Sequence, residues 1–392
     1  MLMRKMNENM NSNMNEIIIT SPSLNPKENV SGISSVTKFI MDNNPKVQSL
    51  HFELGKKDKE KGGWHRIGAL IERYRDWKKM LAEHPDAIIH YNFPLSKPSI
   101  LRDPWFIRYA ILHHRKMVVH VHGGLFLTAP KIPFYLMRIM RWVFGQELPF
   151  IVLSDMERDI LMERFGAKEV YSLPNCVDLR DAEAYAKEEV SLSETQTQLR
   201  DTDMATSHHQ ALVQPLRIGY LGRIEPNKGM TELLVACQRL KKEGFPFKLV
   251  IAGKEQTEGE YLPQFDQWLG DSFEYAGLVS GQTKCDFLRS LDAFVLPSYF
   301  EGLPMSLLEC MSYGKAPIVT PVGSIPQVVK DGVNGIFVKD HDVDSIVNVI
   351  KRLSDDRTLL RKLGDEARKT IFSLFSPKKY IEKLNDIYLR LC

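Results

Sequence analysis

The sequence predicts an α/β protein made of two doubly wound domains that face each other across a cleft. Short runs rich in Val and Ile alternate with helical patterns over most of the chain. One polar stretch, residues 181–214, interrupts this alternation, and a length of 392 residues is typical of about two domains. Continuous apolar strands joined by helices are typical of parallel sheets that helices cover on both faces.

The N-terminal domain is predicted over residues 16–180. Its predicted strands are 16–20, 47–54, 87–92, 117–123 and 149–154. The sequence SDME, from Ser154 to Glu157, is a capping box and predicts a helix start directly after the last of these strands. Residues 1–15 are rich in Met and Asn and lack the apolar core of a signal peptide, so we expect a loose tail.

The C-terminal domain is predicted over residues 215–375. Its predicted strands are 216–224, 247–253, 273–279, 293–298, 317–322 and 335–338. Helical patterns fill the end of the chain, and we expect the helix 376–392 to pack back on the N-terminal domain. Residues 181–214 lack a sustained apolar period, which favours a linker or a mobile insertion.

The composition excludes several classes of protein. A net charge of +3 is too balanced for nucleic acid to be the main partner. The chain has 5 cysteines and no CxxC pair, which is typical of reduced thiols in a cytoplasm. No apolar run reaches the roughly 18 residues that a membrane-spanning helix needs, so none is expected.

The first candidate site is the sequence LGRIEPNKG, residues 221–229, which directly follows a predicted strand. Gly222 would let the backbone approach a ligand, and Arg223 and Lys228 place cations at the strand end and the next helix start. An Arg fork and a Lys point charge together suit a diphosphate. The alternative is a surface loop whose charges are solvated.

The second candidate is EGLPMSLLEC, residues 301–310. Pro304 favours a helix start, so the amides of Met305 and Ser306 are free to bind an anion. Glu301 precedes that start and Glu309 lies over a turn inside the helix. Because carboxylates accept hydrogen bonds from hydroxyls, the pair suits a ligand with hydroxyls at both ends and phosphates between them, such as a nucleotide sugar. The alternative is a salt-bridged Glu309 and a solvated Glu301.

These motifs resemble those of the family 4 glycosyltransferases, which belong to the group 1 glycosyltransferases. Residues 299–338 resemble the family's C-terminal Glu-x7-Glu element, and GRIEPNKG resembles its Gly-Arg and Lys-Gly loop. LPNCVD, residues 173–178, resembles its Pro-Asn-Gly-Val-Asp stretch, with Cys176 where Gly is usual. The resemblance covers the C-terminal domain and is weaker in the N-terminal domain. It implies the GT-B fold, with two Rossmann-like domains, and sugar transfer that retains the anomeric configuration.

The resemblance also implies a role for each motif residue. Arg223 and Lys228 would hold the donor diphosphate and stabilise it as a leaving group. Glu301 would bind hydroxyls of the donor sugar, and Glu309 would bind the ribose. The expected backbone contacts to phosphate and sugar come from Gly302, Leu303, Met305 and Ser306.

Three further positions match the family's donor site. Val279 would lie near the base, and His122 matches the histidine that approaches the donor sugar. Gly32 matches the second glycine of a flexible pair near the phosphate, although Ser31 replaces the first. The donor is expected to be a UDP-sugar or a GDP-sugar.

No metal or other cofactor is predicted. His120 and His122 share one face of a strand, but no third ligand joins them within the motif, so a strand-end histidine or a ligand contact is favoured over a metal pair. Asp201 and Asp203 form an Asp-x-Asp pair, but within the polar stretch rather than at the end of a buried strand. The cations and the helix start are expected to carry the phosphate charge instead.

The acceptor side is indicated by residues 131–144, where Lys131, Arg138 and Arg141 lie among large apolar and aromatic residues without an acid. Such a basic amphipathic stretch can lie in a membrane interface. The alternative is a core-packed helix whose bases extend to solvent. We expect a cytoplasmic protein, peripheral on the inner face of the membrane, that glycosylates a glycan or polyprenyl-linked acceptor in bacterial-type cell-surface polysaccharide biosynthesis.

Other functions remain compatible with the same motifs. A nucleotide-sugar epimerase or another enzyme with the same fold would form its product without this acceptor. A non-catalytic nucleotide-sugar-binding protein would bind the donor without turnover. Thermal-shift screening against nucleotide sugars would identify the ligand, and turnover would separate the three possibilities.

Overall fold

The computed structural model describes residues 16–25, 28–29, 31–55, 65–202 and 214–392. The predicted tail, residues 1–15, lies outside the described residues. The chain divides into two compact units. The first unit comprises Met1–Val177, Glu301–Met305 and Pro377–Cys392, and the second comprises Asp178–Phe300 and Ser306–Ser376.

The first unit is built on a six-stranded sheet with the order β2-β1-β3-β4-β5-β6. All of its strand pairs are parallel. The strands are β1 (Glu16–Ser21), β2 (Gln48–Glu53), β3 (Ile88–Phe93), β4 (Met117–Val121), β5 (Pro149–Val152) and β6 (Glu169–Ser172). The sequence predicts all of them except β6. That edge strand is short and partly exposed, so it lacks a continuous apolar run.

Helices cover this sheet. They span Gly32–Asn43, His65–Glu83, Lys97–Leu112, Leu125–Thr128, Phe134–Phe144, Asp155–Phe165 and Pro377–Leu389. The predicted cap at Ser154 is present, since its Oγ accepts from the Glu157 N–H at 3.2 Å. The Glu157 carboxylate accepts from the Leu153 N–H at 2.9 Å, one residue earlier than a capping box requires.

The second unit contains another parallel six-stranded sheet, with the order β12-β11-β10-β7-β8-β9. Its strands are β7 (Leu216–Leu221), β8 (Phe247–Ala252), β9 (Phe273–Gly277), β10 (Ala293–Leu296), β11 (Ala316–Val319) and β12 (Ile336–Phe337). The chain adds strands on one side of β7 and then continues on the other side with β10. The order therefore reverses between β7 and β10, and ligands of open α/β sheets bind at the carboxyl ends of the strands flanking such a reversal.

Helices also surround the second sheet. They span Met230–Lys242, Leu262–Leu269, Gly281–Arg289, Met305–Ser312, Ile325–Val328, Val343–Asp355 and Arg357–Leu374. Short 3₁₀ turns occupy Pro226–Lys228 and Gly270–Ser272. Among the residues that the structure describes, no helix is both long enough and apolar enough to cross a bilayer.

The interpretation of residues 181–214 as a linker or mobile insertion was wrong for much of the segment. The structure has a 23-residue helix, Arg180–Thr202, while 203–213 lie outside the described residues. Of the Asp-x-Asp pair, Asp201 is therefore helical and Asp203 is not described.

Polar contacts attach this helix to the rest of the second unit. The Tyr185 ring has three cationic neighbours, with Arg289 Cζ, Lys315 Nζ and Arg368 Cζ at 5.3, 5.0 and 5.8 Å from its centroid. Asp181 accepts hydrogen bonds from Arg289 and Tyr313. Anchors of this kind leave no apolar period in the sequence, which explains the error.

Candidate functional site

The loop that follows β7 packs tightly against the ends of two neighbouring strands. The Gly222 N–H donates to the Ala252 carbonyl at 3.0 Å. A Cβ on Gly253 would lie 1.7 Å from the Gly222 oxygen, and a Cβ on Gly229 would lie 2.1 Å from the Pro297 oxygen. Gly229 also has a φ of +71°, so any other residue there would be strained as well as obstructed. Glycines thus bring this loop against the ends of β8 and β10.

The predicted cations lie on that loop. Arg223 is exposed, and Lys228 is half-buried at the end of the turn Pro226–Lys228. The Tyr299 N–H, beyond the end of β10, donates to the Asn227 carbonyl at 3.0 Å. Both cations therefore belong to the carboxyl edge of the second sheet, where β7 and β10 flank the reversal of strand order.

Glu309 lies on the helix Met305–Ser312 and forms an ion pair whose partner the sequence did not identify. Its Oε1 is 2.7 Å from Lys284 Nζ, and 17% of its side chain is exposed. The Glu309 carboxylate is the main reason that the pKa of Lys284 is raised. The salt-bridged alternative for Glu309 is therefore present in the structure. The pair also holds one carboxylate oxygen in place while part of the side chain stays accessible.

The other predicted donor residues of the second unit lie at element ends. Ser306 is in the first turn of the helix Met305–Ser312. Val279 is half-buried in the loop after β9, which is the edge strand of its sheet. One strand, β8, thus lies between β7 and the strand that precedes Val279, whereas the loop with Arg223 and Lys228 begins at β7 itself.

In the first unit, His122 follows β4 and is held by Asn92 at the end of β3. His122 Nε2 lies 2.6 Å from Asn92 Oδ1. The Asn92 amide orientation is fixed, because its Nδ2 donates to the Thr20 carbonyl at 2.7 Å and to Thr37 Oγ1 at 3.0 Å. The oxygen must then face the imidazole, so Nε2 of His122 carries the proton.

This arrangement determines what His122 can offer a ligand. Burial, with a further contribution from His90, lowers the pKa of His122 to about 3, so the ring is neutral at physiological pH. A neutral imidazole with its proton on Nε2 has a lone pair on Nδ1. His122 can therefore accept a hydrogen bond through Nδ1, which suits a hydroxyl group.

Two more histidines lie behind His122. The His120 ring stacks on it with centroids 4.0 Å apart, and His120 Nδ1 is 3.1 Å from His90 Nε2. His90 Nδ1 in turn is 2.7 Å from the Tyr388 hydroxyl. Within the described part of the chain, no group of three or more His, Cys, Asp or Glu side chains could hold a metal ion.

The loop Glu301–Met305 packs on the residues around His122. A Cβ on Gly302 would lie 3.3 Å from the His122 carbonyl oxygen, and a Cβ on Gly123 would lie 2.9 Å from the Gly302 Cα. The structure thus brings two predicted site residues, His122 and Gly302, into close backbone contact.

Leu303 is buried, and its carbonyl accepts from the Asn175 side chain at 2.9 Å. Glu301 and Met305, at the two ends of the loop, are half-buried.

Gly32 is the first residue of the helix Gly32–Asn43, in the connection that follows β1. Among the described residues, and apart from the chain neighbours and the backbone of its own helix, no atom lies within 4 Å of a Cβ built on it, so there is open space above this helix start. Gly32 and His122 thus belong to elements at the carboxyl edge of the first sheet, whose strand order reverses between β1 and β3.

Sequence reasoning missed three polar partners of the predicted residues: Asn92, Asn175 and Lys284. Asn175 lies within the LPNCVD motif, but the motif gives no sign of its bond to Leu303. The capping box at Ser280 indicates the helix that carries Lys284, but not the partner of that lysine.

Comparison with known proteins gives the family context. Residues 206–370 match the family model described as glycosyl transferases group 1. A capsular polysaccharide biosynthesis glycosyltransferase of Staphylococcus aureus is 26% identical over 191 residues, which are 49% of this chain and 50% of that protein. A lipopolysaccharide 1,2-N-acetylglucosaminetransferase of Salmonella typhimurium is 24% identical over 342 residues, covering 82% of this chain and 78% of that protein.

A third relative has a donor and an acceptor in its name. It is the UDP-Gal:alpha-D-GlcNAc-diphosphoundecaprenol alpha-1,3-galactosyltransferase of Escherichia coli, 33% identical over 104 residues, or 26% of this chain and 27% of that protein. The matches to the first three relatives span between 27% and 50% of those proteins' lengths.

Solved structures match over nearly the whole chain. A sucrose-phosphate synthase from Thermosynechococcus elongatus has a TM-score of 0.74 at 16% identity and covers 96% of this chain and 99% of its own. HepE from Anabaena, in complex with UDP-glucose, has a TM-score of 0.68 at 14% identity and covers 95% of this chain and 98% of its own. The chain therefore has the GT-B fold, and its residues 206–370 are those that match the group 1 glycosyltransferases.

Proposed function

We propose that the protein is a retaining glycosyltransferase of the family 4 type. It moves a sugar from a UDP-sugar or GDP-sugar to a glycan or polyprenyl-linked glycan in bacterial-type cell-surface polysaccharide biosynthesis. The observation that carries the proposal is the tightly packed loop after β7. This loop carries Arg223 and Lys228, lies where the strand order reverses between β7 and β10, and belongs to the matched residues 206–370.

The phosphate chemistry is assigned to the second unit. Departure of the nucleoside diphosphate develops negative charge on a phosphate oxygen, and fixed positive groups aimed at that charge lower the barrier. Arg223 and Lys228 supply these charges, and the backbone amides at the start of the helix Met305–Ser312 add donors. Since these groups carry the phosphate charge, we propose that no metal or other cofactor is required.

The sugar chemistry uses acceptors of hydrogen bonds. His122 receives a hydroxyl of the donor sugar at its Nδ1 lone pair, and Glu301 accepts from other hydroxyls of the same sugar. Gly302 and Leu303 provide backbone contacts beside them. The acceptor hydroxyl approaches on the face that the diphosphate leaves and gives its proton to the leaving phosphate, which retains the anomeric configuration.

The nucleoside is assigned to Glu309, with Val279 near the base. One oxygen of the Glu309 carboxylate is held by Lys284, and the other can accept from the ribose hydroxyls. Gly32, with open space above it, lets the start of the helix Gly32–Asn43 approach the donor phosphate, and Gly222 does the same for the loop after β7.

The acceptor class is supported by the names of the relatives. They include a capsular polysaccharide enzyme, a lipopolysaccharide enzyme and a transferase whose acceptor is a sugar diphosphoundecaprenol. Two of these names refer to capsular polysaccharide or lipopolysaccharide, and the third gives a lipid-linked sugar as the acceptor. A cytoplasmic protein working at the inner face of the membrane would meet both its nucleotide sugar and such an acceptor.

The first experiment identifies the donor by thermal-shift screening with a panel of UDP-sugars and GDP-sugars. Release of nucleoside diphosphate from the nucleotide sugar that stabilises the protein against heat is then measured for the parent, Arg223→Ala and Lys228→Ala. Each variant should lose about 100-fold or more in turnover, since removing one donor that stabilises the charge of the transition state costs about that much. Lys242→Ala is the matched control, an exposed cation at the far end of the helix Met230–Lys242.

Three outcomes would contradict the proposal. Near-normal turnover in both variants would remove the diphosphate assignment. Conversion of the donor to a new sugar nucleotide without an acceptor would identify an epimerase. Donor binding without turnover, with surface-glycan and lipid-linked acceptors supplied, would identify a binding protein. The anomeric configuration of the product, determined by NMR, tests retention separately.

A further inference from the structure

The outer face of the helix Lys97–Leu112 is apolar where a solvent-facing helix is normally polar. Leu101, Trp105 and Leu112 are exposed, with 63% of Trp105 accessible. Together with the exposed Arg108, they recur at intervals of three or four residues, so they form one stripe along the helix. The opposite stripe is already buried in the core, through Ile100, Phe106, Ile107 and Ala110.

The helix Phe134–Phe144 has the same two-sided character. Phe134, Tyr135 and Trp142 are exposed, with 80% of Phe134 accessible, while Leu136, Met140, Val143 and Phe144 are buried. Arg138 and Arg141 lie on the exposed side. The structure therefore contains both features between which the sequence could not choose: a core-packed inner side and an aromatic, cationic outer side.

These two helices lie side by side on one face of the first sheet. Each connects neighbouring parallel strands, from β3 to β4 and from β4 to β5, and right-handed connections in the same direction place their helices on the same face. The helices contact each other, and their inner sides share one core cluster. Their outer stripes thus form a single surface, which we call the two-helix face.

The charge of the two-helix face has one sign. Lys97, Arg108, Arg138 and Arg141 are exposed on it, and Lys131 is exposed just before the second helix. The sequence has no acid between Asp103 and Glu147. Asp103 itself is fully buried and paired with Arg102, so it does not offset these cations at the surface.

We propose that the two-helix face docks on an anionic membrane surface. Cations bind lipid phosphates, Trp and Tyr favour the level of the headgroups, and apolar side chains such as Phe134 and Leu112 insert below them. The complementary charge and the row of exposed aromatic side chains favour a lipid surface over a protein partner. The inference goes beyond the proposed reaction and does not depend on it, although it would bring the enzyme to a lipid-linked acceptor.

The test is co-sedimentation of the full chain with vesicles of phosphatidylcholine, with and without phosphatidylglycerol. The parent should sediment with the anionic vesicles, bind the neutral ones at least 10-fold less, and be released by about 0.5 M salt, where screening is strong. Replacing Lys131, Arg138 and Arg141 together by Gln should lower anionic binding at least 10-fold. The double variant Trp105→Gln and Phe134→Gln should do the same without a change in charge.

Trp268→Gln is the matched control. The exposed fraction of Trp268, 58%, is similar to that of Trp105, 63%. Trp268, however, lies on the helix Leu262–Leu269 of the second unit. This variant should bind vesicles like the parent. Circular dichroism and release of nucleoside diphosphate in solution should be unchanged in all variants, which excludes a folding defect.

The proposal is overturned if the parent does not bind anionic vesicles, or if the triple and double variants bind as the parent does. An equal loss in Trp268→Gln would also overturn it. Analytical ultracentrifugation tests the alternative that a second copy of the chain covers the two-helix face. A dimer of the parent that the double variant abolishes would support that alternative and overturn the proposal.

Discussion

The pH dependence of unfolding tests the buried histidine cluster of the first unit. Burial lowers the pKa of His90 to about 4, that of His120 well below its ordinary value of 6.5, and that of His122 to about 3. In the unfolded chain the same groups bind protons below about pH 6.5. The folded protein excludes those protons, so its stability is fully present above that pH and falls as the pH decreases toward the folded values.

The magnitude follows from the size of these shifts. One pKa unit corresponds to about 1.4 kcal/mol, so His90 and His122 each cost about 2 kcal/mol when the pH falls from 6.5 to about 5. The lowered pKa of His120 acts in the same direction. A loss of about 4 kcal/mol is a large share of the whole stability of an ordinary domain, about 5–15 kcal/mol, so the first unit should be markedly less stable at pH 5.

The assay is urea denaturation followed by tryptophan fluorescence at pH 7.5 and at about pH 5. In a Trp268→Phe background the fluorescence reports the first unit, because the other tryptophans lie before residue 178. The measured quantity is the difference in the free energy of unfolding between the two pH values. His120→Gln should reduce this difference, whatever it does to stability at pH 7.5, because glutamine does not titrate.

His113→Gln is the control, since His113 is exposed and lies outside the cluster. It should leave the pH difference at the parent value. The reasoning would be refuted if the free energy of unfolding of the parent changed by less than about 1 kcal/mol between the two pH values. It would also be refuted if His120→Gln kept the full pH difference.

Three further predictions concern the donor site. Glu309→Gln should weaken binding of the free nucleoside diphosphate about 10-fold, and Lys284→Met should act in the same direction because it releases the Glu309 carboxylate. Calorimetry with the nucleoside diphosphate measures both affinities. Parent-like affinity in both variants would contradict the ribose assignment. Glu301→Gln should impair binding and turnover of the intact donor while leaving the affinity for the free nucleoside diphosphate unchanged. The same losses for both ligands in Glu301→Gln and Glu309→Gln would contradict the separate roles assigned to the two residues. Donor turnover should persist in excess chelator, because Arg223 and Lys228 carry the phosphate charge, and a complete loss that Mg²⁺ or Mn²⁺ restores would overturn that prediction.

Much of the fold could be predicted from the sequence because buried parallel strands are local apolar runs. The strand Glu16–Ser21 illustrates this, since Ile17, Ile18 and Ile19 are adjacent in sequence and all fully buried. The strand Glu169–Ser172 is partly exposed and only four residues long, so it gives no such run. The helix Arg180–Thr202 was missed for a related reason, because cations around one tyrosine hold it rather than an apolar stripe.

The candidate site divides in the same way. Residues that belong to a local motif, such as Arg223 with Lys228 and Glu301 with Glu309, could be proposed as candidates because their spacing is short. Their partners could not. Asn92 and His122 are 30 residues apart, and Lys284 and Glu309 are 25 residues apart, so each contact exists only once the strands and helices are assembled.

The two sheets place chemically different groups at or beside the reversal of their strand order. In each sheet the strand order reverses once near its first strand, between β1 and β3 in one and between β7 and β10 in the other. The loop at the second reversal carries the cations Arg223 and Lys228. At the first, Asn92 lies near the end of β3 and holds His122, which follows the next strand, β4, and whose lowered pKa keeps it neutral and accepting. A neutral acceptor is poorly suited to a phosphate and well suited to a hydroxyl, whereas a pair of cations has the opposite preference. Protonation states as well as positions in the fold therefore support the proposed division of labour, with diphosphate on the second unit and sugar hydroxyls on the first.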